Sequence, residues 1–113
     1  MDKLDQEETA ATVFSYLIRG LSSGSRVSVK AELMQKLAPI KELYGLTEDV
    51  YPVYVDFCID NKKFLKVQEA IDVMGGAVAS GKLPAKSERA VMGWIMEVQN
   101  QNRTYGNIKT KRR

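Results

Sequence analysis

The chain predicts a mostly α-helical fold, and three observations carry that prediction. Apolar residues recur at intervals of three and four along most of the 113 residues, the period of one helix face. Glycine, serine and proline punctuate the gaps between those stretches. A hydrophobic fraction of 44% and a charged fraction of 27% suit one domain that buries its own core without disulfide or metal. The expected architecture is a single compact domain of four to five helices over residues 1–102, followed by a flexible basic tail over 103–113. A β-hairpin at about 53–67 is the alternative for the middle of the chain.

The first helix is expected over Glu7–Arg19, with Ala10, Val13, Phe14, Leu17, Ile18 and Leu21 on one face. Glu7 and Glu8 in the first turn and Arg19 in the last suit the helix dipole. Gly20-Leu-Ser-Ser-Gly-Ser25 then stops it. Ser28 is read as the N-cap of a second helix carrying Leu33, Leu37, Ile40 and Tyr44. Pro39 either kinks this helix or divides it into 29–37 and 39–44, and Gly45 ends it.

Residues 46–60 admit two readings. Val50, Val53, Tyr54, Phe57 and Cys58 share a helical face, with Pro52 in the first turn. Val53, Val55, Phe57 and Ile59 also alternate with Tyr54, Asp56, Cys58 and Asp60, a strand pattern, and Asp60-Asn-Lys-Lys63 would turn it into a second strand. The helix is preferred. Helices followed by such a two-stranded wing would resemble a winged helix.

Phe64, Val67, Ile71, Met74 and Val78 give the clearest period and predict a helix over about 61–80, ended by Gly81. Gly75-Gly76 inside it marks a kink, a frayed end or a place where another helix packs closely. The last helix follows Ser87, buries Val91, Trp94, Ile95 and Val98, and fades at Gln99-Asn-Gln-Asn102.

The tail holds Arg103, Lys109, Lys111, Arg112 and Arg113 and no acid. The whole chain carries 17 basic and 14 acidic residues; without those five, residues 1–102 have 12 against 14. The net +3 therefore describes a basic arm on a slightly acidic body. Such an arm suits phosphates, with Tyr105 able to stack on a base. Lys62, Lys63 and Lys66 form a second basic cluster, with Lys62 and Lys66 one turn apart if helical. Ser28–Leu37 would open a helix-turn-helix, although 39–44 offers no side chains suited to reading bases.

Much chemistry is disfavoured. The chain has no histidine and one cysteine, which leaves no His general base and too few zinc ligands, so neither an enzyme nor a metal site is expected, and no cofactor. Gly76-Ala-Val-Ala-Ser-Gly-Lys-Leu83 approaches a phosphate-binding loop, but Leu83 replaces the hydroxyl residue that holds magnesium, and no small-molecule substrate is expected. No apolar run is long enough for a membrane span, the acidic N-terminus does not read as a signal peptide, and lone Cys58 fits a reducing, cytoplasmic setting. The expected function is a small non-enzymatic nucleic-acid-binding accessory protein for replication, transcription control or packaging. The alternative is a helical protein-interaction module (an adaptor, inhibitor or assembly subunit, or a homodimer) using Gly75, Gly76, Met92 and Met96.

Overall fold

The computed structural model describes residues 3–22 and 24–111, with the backbone alone at residues 22 and 102–111. Six α-helices follow one another: α1 (Lys3–Ile18), α2 (Arg26–Lys36), α3 (Ala38–Leu43), α4 (Tyr51–Asn61), α5 (Val67–Ala79) and α6 (Ala85–Lys111). A short 3₁₀ turn, Arg19–Ser22, ends α1. That is one or two helices more than the four to five expected, and no strand occurs among the described residues.

Local chemistry explains the boundaries. Ser25, not Ser28, caps α2, accepting the Ser28 N–H on its hydroxyl at 3.1 Å. Leu37 closes α2 through its N–H to the Leu33 carbonyl at 2.8 Å and is also the residue before α3. Pro39 falls in the first turn of α3, where its missing N–H would have no partner anyway. Proline thus divides the stretch into two helices rather than kinking one. Gly45, at φ 66°, then takes the left-handed geometry that lets Leu46 N–H reach the Lys41 carbonyl at 2.9 Å.

The hairpin alternative at 53–67 is overturned by α4. This helix packs against α2 on one side and α5 on another, so apolar residues surround most of it. Tyr51, Tyr54, Val55, Cys58 and Ile59 are buried, and Val53 and Phe57 are half-buried. The strand-like alternation comes from a helix covered on several faces. The helix expected over 61–80 starts later, at Val67. Lys62 adopts φ 55° and ends α4, with its N–H on Ile59 and that of Lys63 on Cys58. Phe64 and Leu65 then turn inward, and Tyr54 Oη donates to the Leu65 carbonyl at 2.6 Å.

One core joins all six helices: Phe14 from α1, Leu33 from α2, Ile40 from α3, Val55 from α4, Met74 from α5 and Trp94 from α6. The helix α6 continues past Asn102, where the sequence expects it to fade, with helical backbone to Lys111. Its 27 residues span about 40 Å at 1.5 Å per residue, so it outreaches the body. A radius of gyration of 15.2 Å, against about 13 Å for a compact chain of this length, reflects that reach.

Candidate nucleic-acid interface

The lysines of the second basic cluster lie in the connection between α4 and α5, not on a helix. Lys62 and Lys66 are therefore not stacked one helical turn apart. All three are exposed. Lys62 sits beside Ile18, Arg19 and Leu21 around a shallow hollow of about 390 Å³. Lys63 pairs with Glu69 at 2.5 Å. The Glu69 carboxylate also accepts the Lys66 backbone N–H at 3.0 Å, closing the first turn of α5. The Lys63 ammonium, then the Lys66 N–H, hold Glu69 below the ordinary carboxylate range. Lys63 thus has its counter-charge within the cluster, while the Lys62 and Lys66 side chains form no ion pair among the described residues.

Arg26, Lys30 and Lys41 of the body are paired as well. Arg26 reaches Asp56 at 3.2 Å and Asp60 at 3.0 Å, and Lys30 reaches Asp56 at 2.7 Å, tying α2 to α4. Lys41 pairs with Glu48 at 2.8 Å. By contrast Lys82, Lys86 and Arg89, at the turn into α6 and on its first turns, are exposed and pair with no acid among the described residues. Lys86 and Arg89, three residues apart on α6, share a helical face that their spacing makes legible in the sequence. From Lys82 onward the chain has eight basic and two acidic residues; before it, nine and twelve. The side chains of Arg103, Lys109 and Lys111, and all of Arg112 and Arg113, lie outside the described residues, as does the expected flexibility of the tail.

Of the residues expected to meet a protein partner, Met92 and Met96 are 39% and 58% exposed on α6. Gly75 faces α6, but a Cβ there would stand 3.8 Å from Ile95 Cδ1, an ordinary contact, and one at Gly76 would meet nothing within 4 Å. The phosphate-loop resemblance dissolves in the fold. Gly76–Ala79 is the last turn of a helix rather than a loop after a strand. The N–H groups of Ser80, Gly81 and Lys82 are spent on the carbonyls of Gly76, Val78 and Ala77. No group of three or more metal-ligating side chains converges among the described residues.

Tyr44 is the polar centre of the interior. Its hydroxyl donates to Glu7, the buried carboxylate of α1, which is 5% exposed. Its backbone carbonyl accepts Trp94 Nε1–H at 2.9 Å. Its ring stacks on Phe64 and meets Tyr54 edge-on, at centroid distances of 6.4 and 6.3 Å. Burial, then the bond to Glu7, pushes the Tyr44 phenol well above its ordinary range. No local pattern announces this pair, because the partners are 37 residues apart. Tyr44→Phe strips a buried carboxylate of its donor and is expected to lower stability by about 2–4 kcal/mol. Adding Glu7→Leu to it should recover part of that loss, since an apolar pair leaves nothing unsatisfied. Urea unfolding of the single and double variants checks the order.

No helix among the described residues is long and apolar enough to cross a membrane. No protein-family model, curated protein or solved structure matches this chain.

Proposed function

We propose that this chain is a small non-enzymatic nucleic-acid-binding accessory protein, acting in the cytoplasm in replication, transcription control or packaging. The observation that carries the reading is the excess of positive charge at one end of the chain, eight basic against two acidic residues from Lys82 onward. Lys82 and Lys86 lead into α6, and Arg103, Lys109, Lys111, Arg112 and Arg113 follow on it and beyond. Body lysines that have acidic neighbours contribute less. Phosphate neutralisation by such an arm releases counterions and makes binding depend on salt. In the place of a recognition helix, α3 offers no row of Arg, Asn or Gln to base edges, since it has six residues and carries only Lys41 and Glu42 as charged groups. Binding is accordingly tolerant of sequence, with the acidic remainder of the chain limiting adhesion elsewhere.

Anisotropy titrations with labelled single- and double-stranded DNA and RNA, from 50 to 300 mM salt, test this. The slope of log K against log salt is expected to shrink by up to about 0.9 per arm charge on duplex DNA when residues 103–113 are deleted. Undiminished affinity and slope after that deletion would refute the arm. The second reading, a helical interaction module, is favoured by the exposure of Met92 and Met96 on an otherwise well-buried helical domain.

A further inference from the structure

The outward face of α6 holds features that no other described residue uses. Met92 and Met96 are two of the few large apolar side chains left exposed. Gly93 shares that face, is exposed, and would present a Cβ to empty space. No neighbour among the described residues requires a glycine there, although glycine costs about 1 kcal/mol relative to alanine in a helix interior. Arg89 and Glu97 stand one turn before and one turn after Gly93. Both are exposed, and neither bonds another described residue. Arg89, Gly93 and Glu97 therefore form a single ridge at spacings of four, with opposite charges equidistant from a gap.

We propose that this face pairs with the same face of a second copy, the two α6 helices running antiparallel across a two-fold axis at Gly93. Ridges at four-residue spacing interdigitate at a crossing angle of about −50°. A glycine at the crossing lets the two backbones approach closely. Antiparallel pairing sets Arg89 against the partner's Glu97, and Glu97 against the partner's Arg89, so the charge pattern complements itself. A uniformly acidic or basic partner would meet a like charge at one end of the ridge. Met92 and Met96 of both copies flank the crossing, where their flexible thioethers fill an irregular seam. The contact is small, so the association is weak, with a Kd on the order of micromolar. It does not depend on what the basic arm binds.

Sedimentation equilibrium of the full chain tests it. The protein is expected to dimerise between about 1 and 100 µM. Arg89→Glu and Glu97→Arg should each weaken the dimer about tenfold or more, since each sets like charges together twice. The combined R89E/E97R variant should return to within about threefold of the original, because both ion pairs re-form with signs exchanged. Far-ultraviolet circular dichroism should be unchanged in all three, as both side chains are exposed. A monomer at about 200 µM, indifference to the single reversals, or failure of the double variant to recover each overturns the proposal. Removal of residues 103–113 should leave the dimer intact, which separates this result from the nucleic-acid reading.

Discussion

Trp94→Ala is expected to lower the unfolding free energy by about 4 kcal/mol, a large share of the roughly 5–15 kcal/mol typical of a domain. Trp94 is 3% exposed and is the largest side chain that α6 contributes to the core. Its removal opens a cavity beneath α6, and it also strips the Tyr44 carbonyl of the indole donor at 2.9 Å. For a domain of this size the loss corresponds to a fall in Tm of about 15 °C or more. Trp94→Phe keeps most of the apolar volume and loses only the hydrogen bond, so it should cost distinctly less. Thermal unfolding followed by circular dichroism distinguishes the two. Equal losses would mean that the bond to Tyr44, not the volume, dominates.

The second large effect is alkaline unfolding. Burial raises Cys58 to about 11 and Tyr51 to about 12, and pushes Tyr44 and Tyr54 higher still. All four groups are neutral when protonated, and burial favours that neutral form. In the unfolded chain they ionise near their ordinary values of 9.0 for the thiol and 10.0 for the phenols. Above those values the unfolded state binds fewer protons than the folded state, so stability falls as pH rises. The stabilisation is complete below about pH 9 and is lost progressively above it. Each group adds a slope of up to about 1.4 kcal/mol per pH unit, and three phenols acting together make the decline steep beyond pH 10. Urea midpoints measured from pH 7 to 11 should show a plateau followed by that decline. Replacing Cys58 with alanine should delay its onset. A flat profile to pH 11 would contradict the burial of these phenols.

Helical class was legible because periodicity is a local property. Phe64, Val67, Ile71, Met74 and Val78 announced α5, although its start moved to Val67 once Lys62 turned left-handed and the Tyr54 hydroxyl took the Leu65 carbonyl. The middle of the chain was harder. Residues of α4 are apolar on several sides because other helices cover it, and that surrounding cannot be read from one segment. The burial of Trp94, Tyr44 and Tyr54 followed from the apolar helix faces on which their spacing puts them. The partner of Tyr44 did not, since Glu7 reads in sequence as an ordinary first-turn acid. For the candidate interface, counting charge located the basic arm. It could not show that Lys63 is neutralised by Glu69 while Lys86 is not, because that depends on which acid the fold brings near.

Tyr44 also bears on the order in which this protein folds. The α5–α6 hairpin and the α2–α3 turn close over short stretches of chain and can form early. The bonds at Tyr44 cannot, because Glu7 lies 37 residues away on one side and Trp94 lies 50 away on the other. Both ends of the chain must already be in place before this one residue can satisfy its hydroxyl and its carbonyl. Tyr44 thus closes contacts of long sequence separation, and substitutions there are expected to speed unfolding more than they slow folding.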